Sequence, residues 1–490
     1  MALTSSNVTS GFIDLATFDE IEKYLYGGSD ATAYFVRETR KSTWFTQVPV
    51  VLSRASGTPA FNQDWSVSIS RAGDYLLQTW LRLTTPSVTL TSAAGVGGKS
   101  IRWTRNLMHS IIQECNVTFN DLVAARFDNY HLDFWAAFTV PASKRNGYDN
   151  MVGNVSDLID PTPAGFAIPS YTLNLPLPFF YGRDSGVSLP TAALPYNEMR
   201  INFTFRDWNQ LLILSVDDES TNSSAPTADQ IGGAPTLGSC QVWANYAIVS
   251  NDERKRMACA PRDILIEQVQ TAPRQSFTPA TNAAQSFDIR FSHAIKVLFF
   301  SVRNTTCRSE WSNYSTASPT VRATTDGPVI SFYPESGAAD PILQTSLIYE
   351  NTNRLSQMGS DYFSLVNPWF HAPTIPDKIG FHSYSYSLDF MTLDPLGSTN
   401  YGKLTNVSIV PEASSTAVAA ASGGGATGSG YYSAQTYEFI VTCINNNIIR
   451  VSGGALGKHG KPRIGRCFDS CGKTIEDKHL NYHQSTISIC

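Results

Sequence analysis

Four residues in the last stretch of the chain have the types and spacing to hold a metal: Cys467-x3-Cys471-x7-His479-x3-His483. Two soft sulfur ligands followed by two imidazoles suit zinc, and histidines four apart can share a helix face. The central gap of seven is shorter than the usual spacing of about twelve or more. The same stretch also reads as a basic tail with free thiols, carrying six Lys or Arg against three Asp or Glu from residue 456 onward. On that balance no metal ligand is assigned.

Other chemistries fail on residue type. Gly98-Lys99-Ser100 ends like a phosphate-binding loop, but the first glycine of such a loop would fall at Ala93. Without it the turn chemistry is lost, and the segment reads as a surface hairpin loop. No Gly-x-Ser-x-Gly elbow is present to carry a nucleophilic serine. The eight histidines are dispersed and no His-x-His occurs. His109 and His293 lie in apolar surroundings, as satisfied core or interface histidines do. Paired carboxylates for glycoside hydrolysis cannot be singled out by spacing. No catalytic, cofactor-binding or metal residue is therefore expected, and no enzyme.

The elements that remain are strands. In residues 175–205, Pro176, Pro178, Pro190 and Pro195 deny ladder donors and block helix. Met199, Ile201, Phe203 and Phe205 then alternate with Arg200, Asn202, Thr204 and Arg206, which predicts a half-buried strand with its charged face in water. Trp65, Val67 and Ile69 alternate likewise, as do Tyr75, Leu77, Thr79, Leu81 and Leu83, with Trp80 on the opposite face. The run from Ile295 to Val302 is apolar enough for burial on both faces. Further alternation marks Phe287 to Phe291, His382 to Phe390 and Tyr437 to Cys443.

Between them, Thr17 and Glu20 are spaced as a capping box, predicting a short amphipathic helix over 18–26. Its apolar face either packs on its own domain or contacts something beyond it. A helix is expected within 121–138, turns over 144–154, and surface loops over 217–235 and 413–430. The loop at 217–235 is expected to decorate the second half. Strands, insertion and strands thus occur twice, without an internal sequence repeat.

The totals agree with such a chain. Its 490 residues suffice for two or three cores, and 42% hydrophobic with 16% charged residues describes a folded protein. A net charge of −5 argues against a surface devoted to nucleic acid. No signal peptide or apolar run long enough for a membrane span is read. Eight scattered cysteines make no disulfide scaffold and fit a reducing compartment. The glycosylation triplets at Asn116, Asn202 and Asn304 read as chance matches.

In one respect the sequence is more specific. The run LPLPFF, the Arg183-Asp184-x-Gly186 turn and the LPYNE strand follow in an order that resembles the major capsid proteins of iridovirus-like large DNA viruses. The resemblance extends in order through SNVTSGFIDLATFDEIEKYLYGG (6–28), WTRNLMHSIIQECNVTFND (103–121), FDIRFSHAIKVLFFSVRN (287–304), YENTNRLSQMGSDYFSLVNPW (349–369), YSLDFMTLDPLGSTNYGKL (386–404) and FIVTCINNNIIRVSGGALG (439–457). It covers about residues 6 to 452 and leaves 458–490 without a counterpart.

This resemblance implies an all-β fold of two consecutive eight-stranded jelly rolls with short helical insertions and an N-terminal amphipathic helix. The expected division is an arm at 1–30, jelly roll 1 at 31–212, jelly roll 2 at 213–455 and a tail at 456–490. The implied function is structural: a homotrimeric, pseudo-hexagonal capsomer tiling an icosahedral shell, assembled in the host cytoplasm. Neighbouring capsomers and minor capsid proteins are the implied partners, with the internal viral membrane reached through the arm and no direct genome binding. A jelly-roll lectin is the alternative, using Trp369 or the Tyr431-Tyr432 pair as exposed aromatics.

Overall fold

The computed structural model describes residues 2–37, 39–91, 99–216, 224–259, 261–316, 321–324, 327–330, 339–422, 434–452 and 455–457. They fall into two units, one ending at Trp44 and one beginning at Phe45.

The first unit holds two helices, Ala2–Ala16 and Glu20–Leu25. The cap of the second is Asp19, not Thr17. The Asp19 carboxylate accepts from the Glu20 amide, and Glu22 reaches back to the Asp19 amide at 2.8 Å. Thr17 instead donates its hydroxyl to the Asp14 carbonyl at the end of the preceding helix. A carboxylate caps as well as a hydroxyl does, which moved the expected start by two residues.

The second unit is built of antiparallel sheets. Its first sandwich sets the order Phe45–Val51, Cys240–Val249, Tyr75–Thr84, Thr172–Pro176 against the order Ser53–Ser56, Asp64–Ser68, Met199–Phe205, Ile112–Phe119, Leu122–Asp128. Alternation drives it: Met199, Ile201, Phe203 and Phe205 are all buried, while Arg200, Asn202 and Thr204 are half-buried. They meet Leu81, Leu83, Val242 and Ala244 from the facing sheet in one core. The second sandwich sets Arg262–Thr271, Tyr437–Ser452, Ala294–Asn304, His382–Ser385 against Phe287–Asp288, Val407–Ala413, Ile342–Tyr349, Thr352–Gly359. Its core gathers Leu298, Phe300, Phe439 and Val441 with Ile342, Leu347 and Ile409.

One helix joins the halves. Asp128 accepts from the His131 amide at 2.9 Å and opens the helix Asn129–Thr139, whose Phe134 and Phe138 are fully buried. They pack on Val297, Phe299, Ile440 and Ile444, the outer face of the second sandwich. The strand Ala294–Asn304 is therefore covered twice, Leu298 and Phe300 facing its own core and Val297 and Phe299 facing this helix. The double burial expected from its apolar run has this cause. Beside the helix, Gly380 has φ +93°, and a Cβ there would stand 2.0 Å from the Tyr314 carbonyl oxygen. Only glycine fits.

Several expectations need correction. The strand Cys240–Val249 pairs along its length with Phe45–Val51 and with Tyr75–Thr84. Pairing in the first sandwich thus runs on past the boundary expected at 212. Of the 217–235 loop, residues 217–223 lie outside the described residues. The rest packs on the first half, Gln230 accepting from the Thr91 amide and Ile231 joining the first core, not on the second half. Residues 122–128 are strand before the helix begins. The expected turns at 144–154 are mostly the helix Ala142–Val152. The strand at 382 stops at Ser385. Ser415–Ala421 is a helix capped by Ser414, and 423–433 are not described. Arg206, expected in water, is buried.

Candidate assembly surfaces

The strands that expose little also fix the seam between the halves, and the seam carries buried charged side chains. Arg102 of the strand Lys99–Trp103 donates to Glu310 at 3.0 Å, both side chains almost wholly buried. The Arg206 guanidinium lies 3.4 Å over the Trp311 ring, and Arg303 stacks on the same ring at 4.1 Å. This explains why Arg206 turns inward. The strand ends at Phe205, and a cation over an indole compensates for lost water. Burial pushes Arg206 down to about 10.

Asp133, on the joining helix, is the hub. It accepts from His109 Nδ1 at 2.7 Å in its own half, and from Ser312 at 2.9 Å and Tyr314 at 2.7 Å in the other. His109 Nε2 meets the Tyr148 hydroxyl at 2.6 Å, and burial, with Asp133 second, raises the Tyr148 phenol far above its ordinary range. Both ring nitrogens of His109 are thus committed to packing. On the same helix, burial and then the Arg183 charge push His131 down to about 3. A further buried set ties Lys296 to Glu267 at 2.6 Å and Arg183 to Glu267 at 3.1 Å. These pairs orient two sandwiches as one body; none opens a reactive group to solvent.

Among the described residues, apolar side chains face outward at several places, two of which form clusters, one on each sandwich. The first begins at Phe363, buried in the second core with its ring edge on Phe300 at 5.2 Å. The turn Tyr362–Val366 then leads into the short helix Asn367–His371, and the buried Asn367 accepts from the Ser385 amide. Anchored so, the segment presents Leu365, Val366, Trp369 and Phe370 outward, the last two 71% and 70% exposed. His371 Nδ1 donates to the Leu388 carbonyl at 2.9 Å, which brings exposed Leu388 to the same ridge. The second place is the hairpin tip of the first sandwich. Asn120 and Asp121 turn with positive φ, the two-residue turn that suits strand twist. Leu122, Val123 and Tyr196 stand exposed there, linked through Asn120 and Glu198 by paired hydrogen bonds. Exposed apolar clusters of this kind mark interaction sites.

The chemically suggestive residues are not brought together. Lys99 and Ser100 begin a strand, whereas a phosphate loop would open a helix there; residues 92–98 lie outside the described residues. Cys467, Cys471, His479 and His483 lie outside them too, as do Tyr431 and Tyr432. Among the described residues no His, Cys, Asp and Glu cluster could hold a metal. His293 sits at φ +64°, just before the strand Ala294–Asn304. Asn304 is buried, and Asn202 donates to Asn116 across the sheet. Trp369 is on the ridge; its apolar neighbours were not recognised in the sequence, where they sit in an ordinary-looking turn.

Two fused antiparallel sandwiches define a fold of the double jelly-roll class. The same fold is seen in the quasi-atomic model of the PBCV-1 virus capsid, which aligns with TM-score 0.67 over 88% of this chain and all of that one, at 20% identity. The Faustovirus major capsid protein aligns at TM-score 0.62 and 10% identity, over 89% of this chain and 94% of its own. Residues 33–249 match the family described as "Major capsid protein N-terminus". Residues 253–457 match "Large eukaryotic DNA virus major capsid protein". The major capsid protein of Costelytra zealandica iridescent virus is 67% identical over 93% of this chain and 99% of its own length. That of Lymphocystis disease virus 1 is 50% identical, over 93% and 99%. The chain belongs to the major capsid proteins of large eukaryotic DNA viruses. It is a structural capsid subunit and not an enzyme.

Proposed function

We propose that the chain works as a homotrimer whose three copies make a pseudo-hexagonal capsomer of an icosahedral shell. The observation that carries this is the fusion of two like sandwiches by the buried helix Asn129–Thr139. Three such rigid pairs supply six similar units around one axis. Threefold closure is heterologous, so each subunit needs two different complementary surfaces. The ridge at Trp369 and the tip at Tyr196 are two such surfaces, one on each half. The sandwiches themselves correspond to jelly rolls at about 45–249 and 262–452, with the arm before them and a tail after. The arm contacts minor capsid proteins or the internal membrane beneath the shell, assembly proceeds in the host cytoplasm, and neighbouring capsomers are the lateral partners. The genome is not bound directly, in keeping with the net charge of −5.

Mass by light scattering tests this. A stable species near three times 53.7 kDa supports the capsomer. A monomer at micromolar concentration removes it. Deleting residues 1–30 then assigns the arm: a surviving trimer places its contacts beyond the capsomer.

A further inference from the structure

Where the helix Asn129–Thr139 meets both halves, the structure holds a narrow cavity of about 20 Å³. Trp135, Val269 and Ile444 give it apolar walls, and three polar side chains reach it: His131, Arg183 and Glu267. Each of the three comes from a different part of the fold. His131 sits on the joining helix, Arg183 follows the LPLPFF run of the first half, and Glu267 lies on the strand Arg262–Thr271 of the second.

These side chains have hydrogen-bonding capacity left over. His131 is only 1% exposed, yet its Nδ1 is buried with no hydrogen-bond partner among the described residues. An unmet polar atom at that depth is costly. The ring is held neutral by burial and then by the Arg183 charge, so one nitrogen donates and the other accepts. Arg183 makes both of its polar contacts through one nitrogen. Its Nη2 donates to the Met391 carbonyl at 3.0 Å and stands 3.1 Å from Glu267 Oε2. Among the described residues its Nε and Nη1 carry no hydrogen bond. Glu267 Oε1 accepts from the Lys296 ammonium at 2.6 Å, and each carboxylate oxygen can accept a second hydrogen bond.

Size and charge narrow the choice of occupant. A buried water needs about 10–15 Å³ measured in this way, with two to four polar partners. The cavity meets the first condition for one molecule and is too small for a larger one. The Glu267 carboxylate repels an anion, and the Arg183 guanidinium repels a cation. A single neutral molecule that both donates and accepts is what remains.

We infer that this cavity is a binding site for one structural water, which donates to His131 Nδ1 and Glu267 and accepts from Arg183. Such a bridge is nearly as good in enthalpy as a direct hydrogen bond. It ties the joining helix to both halves at once, and it lies inside one subunit, so it does not depend on which surfaces the subunits use to assemble.

The test is a crystal structure of the full-length protein in its native oligomer, at a resolution that shows ordered water elsewhere in the core. One spherical peak is expected at about 2.7–3.2 Å from His131 Nδ1. Two variants then probe it. His131→Phe keeps a ring and removes the acceptor. Val269→Leu keeps every polar group and pushes one more methylene into the cavity, which guards against a His131 variant that fails to fold. The peak is expected to vanish from both. Clear core water elsewhere with no peak at this position overturns the inference. So does a peak that stays in place in both variants, or one whose height and coordination mark an ion.

Discussion

The ring of Phe134 lies 7° from parallel to that of Phe299, their centroids 5.8 Å apart. One ring belongs to a helical insertion of the first sandwich and the other to a central strand of the second. Offset-stacked aromatics of this geometry add to their area burial, so the two sandwiches are joined by core packing rather than by a surface contact.

Phe134→Ala should therefore do two things. It should destabilise the protein by about 3–5 kcal/mol, as other buried Phe truncations do. It should also uncouple the halves, so that a single urea transition followed by fluorescence separates into two. Retention of one transition with an unchanged midpoint would refute this account of the seam.

The buried pair Arg102–Glu310 makes a separate prediction. Glu310→Gln leaves a buried guanidinium without its counter-charge and should cost about 3–5 kcal/mol. The double replacement Arg102→Met with Glu310→Leu should recover most of that loss, since no charge is then stranded. Chemical denaturation of the three variants measures both effects.

His131 gives the pH dependence. Its folded value near 3 lies below its unfolded value of about 6.5. Above 6.5 the imidazole is neutral in both states and its contribution is complete. As pH falls from there towards 3, only the unfolded chain takes up the proton, and stability drops by up to about 1.4 kcal/mol per pH unit. Carboxylates titrate in the same window, so the measurement is a difference. His131→Phe, which keeps the ring against Trp135 and Phe127, should flatten this part of the profile relative to the parent.

The ridge predicts a loss of assembly without a loss of fold. Trp369→Ser with Phe370→Ser removes two side chains that are about 70% exposed, so thermal stability of the isolated subunit should change little. If the ridge is a subunit contact, the variant should run as a smaller species in light scattering. An unaltered mass would move the contact elsewhere.

Much of the architecture was legible because strands with one buried face must alternate. Met199–Phe205 follows that rule to the last residue, and the apolar run at 295–302 betrayed its double cover. The rule failed where a partner far along the chain decides. Arg206 continues the alternation on paper, yet its guanidinium is held by Trp311, 105 residues away. The helix Ala142–Val152 was hidden by Lys144, Arg145, Asn146 and Gly147, which look like a turn until Tyr148 is seen bonded to His109. Cys240–Val249 alternates clearly, but nothing local says which sandwich it will join. The surface ridge was half visible: Trp369 stood out, whereas the exposure of Leu365, Phe370 and Leu388 depends on how Phe363 is anchored.

The strand Tyr437–Ser452 contributes Phe439 and Val441 to the second core, and Ile449 and Val451 to the first. It pairs with Arg262–Thr271 across roughly 180 residues of sequence, Arg262 opposite Val451. Such distant pairing is slow to form. On the ribosome this sets an order of events. The first core is synthesised early, but its last two members, Ile449 and Val451, are made only after the strands of the second sandwich, so its packing is completed last.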